Sequence, residues 1–221
     1  MKQNSRHSLS VKPLQKPLLR GWFHQESFFV ALGAGIMLVL KGSSDTAIFA
    51  ALVYVIGLLL LFGVSATYHR PQWQQKQRAF MKRLDHSAIF IFIAGSMTPI
   101  ALLGLPQSEG EHLLTVIWIV TLAGTLQSVF WVKAPKWVTA LLYVIAGWLI
   151  FPYMPQLQVS LSPVDVGLIM AGGIVYTVGA VFYALKRPQL RIEIFGYHEL
   201  FHVLTVIAAA LHFAVIYKLI K

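Results

Sequence analysis

The sequence predicts an all-α integral membrane protein, a bundle of seven transmembrane helices. Of its 221 residues, 57% are hydrophobic and only 12% are charged, and the mean hydropathy is +0.68. These values are typical of membrane proteins. Apolar runs bounded by charged residues, Pro or Gly approach or reach the roughly 20 residues that a helix needs to cross a hydrocarbon core about 30 Å thick.

The seven predicted spans cover residues 27–40, 46–68, 86–105, 113–132, 137–154, 164–185 and 199–217. Backbone groups in lipid must form hydrogen bonds within their own segment unless a β-barrel closes. The runs lack the alternation of polar and apolar residues that barrel strands require. Helices are therefore predicted for all seven, although the first run is short.

The loops predict the orientation of the bundle. Lys and Arg accumulate on the cytoplasmic side of membrane proteins. If the N-terminus lies in the cytoplasm, 15 of the 18 Lys and Arg residues lie on the cytoplasmic side. They are in the N-terminal tail and in segments 70–83, 133–136 and 186–191. We therefore predict residues 1–24 as a basic cytoplasmic N-terminal tail, residues 25–221 as the transmembrane domain, and the C-terminus outside. The tail carries no apolar core or cleavage site at signal-peptide spacing.

Charge and cysteine content narrow the function classes. The net charge of +10 comes from short clusters between apolar runs, so a basic face for nucleic acid is not expected. The chain has no cysteine, which excludes a disulfide framework and leaves nitrogen and oxygen as ligands for any metal ion.

Four ionisable residues inside the predicted spans or at their ends are candidates for a functional site: His69, Asp85, His198 and His202. His198 and His202 lie four residues apart in H-E-L-F-H, so a helix presents both imidazoles on one face. The predicted topology brings the end of the second span and the starts of the third and seventh to the same cytoplasmic depth. The four side chains should therefore meet.

Three imidazoles and one water form the open tetrahedral zinc site that enzymes use, whereas structural sites have four protein ligands. Two histidines four apart are, without context, more often packed through hydrogen bonds, but the shared depth with His69 and Asp85 favours metal binding. Glu199 completes a literal H-E-x-x-H motif, which alone does not establish a peptidase. His212 lies about 15 Å beyond His202 and is predicted to pack through a hydrogen bond between helices.

Four motifs follow one another along residues 24–217: S-A-T-Y-H, L-D-H-S-A-I-F-I-F-I-A-G-S-M-T-P, G-I-V-Y-T-V-G-A-V-F-Y-A-L-K-R-P and G-Y-H-E-L-F-H-V-L. In this order and combination they resemble the bacterial haemolysin III family, relatives of the progestin and adipoQ receptors.

The resemblance implies a zinc ion bound by His69, His198 and His202, as in the wider superfamily that includes alkaline ceramidases. It further implies that Asp85 and Ser65 hold or activate the zinc-bound water. Members often carry Glu, Asn and His around the first helix. This chain has Gln25, Glu26, Ser27, Phe28 and Leu32 there, so a substrate-binding role does not carry over to that helix.

The expected function is zinc-dependent hydrolysis of a lipid amide or ester in the inner (plasma) membrane, because zinc polarises carbonyl groups and a carboxylate takes a proton from water. A substrate with a long acyl chain suits a site among apolar helices, and the resemblance implies a ceramide-like lipid. Two alternatives remain open at this point. The first alternative is a protein that senses or adjusts membrane lipids and in which the zinc is structural. The second is a pore-forming cytolysin.

Overall fold

The fold is helical, as the sequence predicts. A computed structural model describes residues 16–191 and 193–221; most of the predicted tail, residues 1–15, lies outside this part. The helices are α1 (Trp22–Lys41), α2 (Asp45–His69), α3 (Gln75–Gly104), α4 (Gln107–Phe130), α5 (Lys136–Gly147), α6 (Met154–Ser160), α7 (Pro163–Leu185) and α8 (Tyr197–Leu219), with a 3-10 helix at Trp148–Tyr153 between α5 and α6.

Seven helical segments are long and apolar enough to cross a membrane, which confirms the predicted fold class and number of spans. The fifth segment is composite and runs from α5 through the 3-10 helix to α6. The side of the membrane on which each end lies stays a prediction.

The largest difference from the predicted boundaries is at α3, which begins at Gln75 and not near residue 86. Hydropathy locates the part of a helix that matches the hydrocarbon core, whereas backbone hydrogen bonds continue into the charged segment before it. A capping box between Gln74 and Gln77 starts the helix there. Asp85 consequently lies about three turns inside α3 and does not open it.

The first and fifth spans also differ from their predicted limits. α1 begins at Trp22, after Gly21, and is 20 residues long, so it is not a short span. The fifth span loses α-helical geometry at Trp148, where Pro152 and Pro155 follow. Proline removes a backbone donor and clashes with the preceding turn, which accounts for the change to 3-10 geometry.

α3 lies at the centre of the bundle. In its most apolar 18-residue window 72% of residues are buried, against 22% for α1. It packs extensively on α2 and α4 and also touches α5 and α8, while α7 packs on α8 and α5. α1 packs against α2 and α8, which brings its N-terminal end next to the end of α2 and the start of α8.

Candidate metal centre

Three histidines meet at one end of the bundle. One ligand atom from each of His69, His198 and His202 lies within 4.8 Å of the others, and all three residues are buried. His69 Nε2 and His198 Nε2 are 3.1 Å apart. The predicted meeting of the second and seventh spans therefore occurs.

Local helix geometry explains how the three rings converge. His69 is the last residue of α2, and His198 is the second residue of α8. His202 follows one turn later on the same face, and its ring centroid is 4.6 Å from that of His198. α2 and α8 run in opposite directions, so the end of one meets the start of the other.

The donor set fits a metal ion such as zinc. Two nitrogen ligands with bonds of about 2.0–2.1 Å in tetrahedral geometry lie about 3.3 Å apart. The distance of 3.1 Å between the two Nε2 atoms is close to this value. The Nδ1 atom of His202 has no hydrogen-bond partner among the described residues. These three buried histidines could hold one ion.

Asp85 and Ser65 are beside the three histidines. Asp85 Oδ2 is 3.6 Å from His69 Nε2, and the carboxyl group is buried. Ser65 lies one turn before His69 on α2, is buried, and lines the same cavity as Asp85, His198 and His202. The structure thus brings together all five residues that the sequence analysis singled out.

Glu199 faces away from this group. Its Oε1 accepts a hydrogen bond from Arg20 Nε, and its Oε2 accepts one from the backbone N–H of Gly196 at 2.8 Å. The side chain is fully buried and forms a capping box at the start of α8. Its carboxylate is therefore engaged in joining the N-terminal segment to α8.

A further histidine, His24 of α1, lies at the site and was not singled out from the sequence. Its ring stacks on that of His202 with centroids 3.9 Å apart and planes 13° apart. The sequence did carry a signal for His24, because its spacing from Ala31, Gly35 and Leu38 puts these four residues on one face of a helix. In the structure, this face is the buried face of α1. α1 therefore does contribute to the site.

An internal cavity of about 110 Å³ extends from the histidines into the bundle. Ser65, Asp85 and His198 line one end, and most of its remaining wall is apolar. His212 also lines it, and its Nε2 lies 3.1 Å from the carbonyl oxygen of Ile169. This contact is the hydrogen bond between helices that the sequence predicts for His212.

Comparison with known proteins shows similarity to one family along most of the chain. The model of the family "Haemolysin-III related" matches residues 13–213. Hemolysin-3 of Bacillus cereus is 30% identical over 193 residues, which cover 86% of this chain and 85% of that protein. The human monocyte to macrophage differentiation factor is 28% identical over 174 residues, covering 76% and 69% of the two chains. The adiponectin receptor protein of Drosophila melanogaster is 23% identical over 217 residues, covering 87% and 48%.

Fold and site together define a multi-pass helical membrane protein with a buried cluster of three histidines that could hold a metal ion. The chain belongs to the haemolysin-III-related family. The resemblance found in its motifs is thereby confirmed, including the more distant relation to the adiponectin receptor type.

Proposed function

We propose that this protein is a zinc-dependent hydrolase that cleaves an amide or ester bond in a membrane lipid. One observation carries the proposal: three buried histidines and a buried carboxylate converge at the end of a largely apolar cavity inside a membrane protein. The same site on a soluble surface would give no reason to expect a lipid substrate.

The proposed ligands are His69, His198 and His202. Three nitrogen donors leave one position of a tetrahedral ion open, which is the pattern of catalytic zinc sites. A zinc ion held there would polarise a carbonyl group and lower the pKa of its bound water to about 7.

Asp85 is the proposed general base. Its Oδ2 is 3.6 Å from His69 Nε2, so a water beside the histidines is within reach of the carboxylate, which can accept its proton. The Ser65 hydroxyl faces the same cavity and can donate a hydrogen bond to the oxygen on which negative charge develops.

The cavity supports an acyl-chain substrate, and a ceramide-like lipid is the class that the resemblance implies. Its wall includes Val144 and Trp148 from the fifth span and Met170 and Thr177 from α7, which are half-buried. This wall therefore faces both the cavity and the outside of the bundle. We propose that the acyl chain enters here, between the fifth span and α7.

The same proposal includes the location of the protein. The excess of Lys and Arg in segments 1–20, 70–83, 133–136 and 186–191 supports a multi-pass protein of the inner (plasma) membrane with a cytoplasmic N-terminus. The histidines would then lie near the cytoplasmic surface.

The test compares wild type, Asp85→Asn and Ser65→Ala after purification and zinc loading. Each is incubated with a panel of ceramides, other acyl amides and acyl esters, and products are measured by mass spectrometry. Removal of a general base typically costs about 10²–10⁴-fold in rate, and we expect a loss of this size for Asp85→Asn and a smaller loss for Ser65→Ala. Both variants should retain zinc.

Ser128→Ala is the matched control, because Ser128 is also buried in a helix and its hydroxyl donates to the carbonyl oxygen of Gly124, away from the three histidines. It should hydrolyse lipid at the wild-type rate. A zinc-loaded wild type that releases no product from any panel lipid would favour the alternative, a structural zinc that joins α2 to α8. Equal rates for wild type and Asp85→Asn would remove Asp85 from the mechanism.

A further inference from the structure

His24 is buried and has no hydrogen-bond partner in the part of the chain that the structure describes. Only 2% of the residue is exposed, and neither Nδ1 nor Nε2 has a partner among the described residues. Burial of unpaired polar atoms is unfavourable, and most such atoms in native proteins have a partner. His24 lines the cavity together with Ser65 and Asp85. The cavity is therefore where a partner for its ring can bind.

Neighbouring rings limit where that partner lies. His202 stacks on His24 in nearly parallel orientation, with centroids 3.9 Å apart. Phe62 contacts His24 at a centroid distance of 5.1 Å and an angle of 52°. The hydrogen bonds of an imidazole form through its ring nitrogens, in the plane of the ring. A partner for His24 must therefore lie beside the edge of the ring that the two aromatic neighbours leave free.

The N-terminal segment holds His24 in this position. Arg20 pairs with Glu199 at the start of α8. The N–H groups of Leu18 and Leu19 donate to the carbonyl oxygens of Glu193 and Ile194 at 3.0 and 3.2 Å. The segment before α1 is thus attached to α8 and to the segment that leads into it, through residues four to six positions before His24.

We propose that His24 is a fourth histidine of the metal centre that binds the ligand of the ion and does not bind the ion itself. A ring nitrogen of His24 would form a hydrogen bond with an oxygen atom of a molecule bound on the open side of the three histidines. This role rests on the proposed metal site, but it does not require that the protein hydrolyse lipids.

The stacking geometry separates this role from that of a fourth ligand. The lone pair of an imidazole nitrogen lies in the plane of its ring. Because the rings of His24 and His202 are stacked and nearly parallel, the lone pairs of their nitrogens lie in separate planes and do not converge on one point. The two residues could therefore not both bind one ion, whereas a molecule bound to an ion at His202 could reach the edge of His24.

The experiment uses the full chain in detergent, loaded with zinc or with cobalt, and acetohydroxamate as an oxygen-donor probe. His24→Gln and His24→Met are compared because their side chains are similar in size and only the amide is a good hydrogen-bond partner. Metal content, metal affinity and probe affinity are measured, the last from the visible spectrum of the cobalt protein. His112→Phe is the control, since His112 is exposed and its partner is Tyr153.

We expect both His24 variants to retain one metal ion per chain with an affinity within about threefold of wild type. Loss of one hydrogen bond corresponds to about a tenfold change in affinity. Acetohydroxamate should therefore bind about tenfold more weakly to His24→Met, and His24→Gln should recover most of that loss. His112→Phe should match wild type.

Loss of metal from His24→Met comparable with that from His202→Ala would overturn the proposal, because His24 would then be a ligand. Unchanged probe affinity in His24→Met would overturn it as well, leaving His24 as a packing residue. A wild type that bound no metal would remove both the metal centre and this role. If the cobalt protein binds the probe through His24 but cleaves no lipid, the proposed hydrolase function is refuted and the proposed role of His24 stands.

Discussion

Gly21 lies directly against His69: a Cβ atom at Gly21 would be 2.7 Å from the Cβ of His69. Gly21 has a φ of 77°, in the left-handed region, and is the residue before α1. The turn that starts α1 thus packs on the last residue of α2, which is a proposed ligand. The geometry of the N-terminal segment and that of the three-histidine cluster are therefore linked through this contact.

Gly21→Ala should disturb both stability and metal binding. The left-handed conformation costs a residue with a Cβ about 1–2 kcal/mol, and the new methyl group would displace His69. We expect a lower unfolding temperature and weaker zinc affinity, measured by thermal unfolding and competition with a chelator.

Gly33→Ala is the control in the same helix, because a Cβ at Gly33 meets no atom within 4 Å. Alanine is favoured over glycine in helices by about 0.5–1 kcal/mol, so this variant should be at least as stable as wild type. Equal metal affinity in Gly21→Ala and Gly33→Ala would contradict the coupling between Gly21 and His69.

The proposed ligand set predicts the metal content of histidine variants. His69→Ala, His198→Ala and His202→Ala should each sharply reduce the zinc content of about one ion per chain, measured by elemental analysis of purified protein. His212→Ala should keep its zinc, since His212 bonds to the carbonyl oxygen of Ile169 away from the cluster. Full zinc content in the His198→Ala, His202→Ala double variant would exclude the assignment.

The ion pair of Arg20 and Glu199 predicts a loss of stability without a loss of catalysis. Glu199 is fully buried and Arg20 is partly exposed, so the cost of removing Glu199 should lie below the cost of about 3–5 kcal/mol for a fully buried pair, and Glu199→Ala should unfold at lower denaturant concentration. Metal-dependent hydrolysis by the folded fraction should persist, because Glu199 faces Arg20 and Gly196.

Glu26→Ala is the matched control, since Glu26 is exposed on α1. Its stability should stay within about 0.5 kcal/mol of wild type. Complete loss of hydrolysis in folded, zinc-loaded Glu199→Ala would restore Glu199 as a candidate base.

The distribution of Lys and Arg predicts the orientation of the bundle. A reporter that works only outside the cytoplasm should be active when it is fused after Lys221. A reporter that works only in the cytoplasm should be active when it is placed in the loop after α2. The opposite pattern would move the histidines to the outer surface.

Much of the fold followed from the sequence because each span is specified locally. A helix in lipid must be apolar over the thickness of the core, so hydropathy locates each span. It does not locate helix ends in water, and the start of α3 at Gln75 was missed for this reason. Nor did it show that the fifth span changes to 3-10 geometry.

The three-histidine cluster was also predictable. The period of the helix puts His198 and His202 on one face, and antiparallel spans bring His69 to the same end. These relations need only the helix geometry and the order of the spans, which are properties of the sequence.

Tertiary structure alone decided the remaining contacts of the site. The sequence does not say how α1 is rotated and tilted against α8, so it could not bring His24 onto His202 or turn Glu199 towards Arg20. The sequence determined which side chains share a helix face and which helix ends meet. Their partners across the bundle depend on packing, the sum of many small contacts between helices.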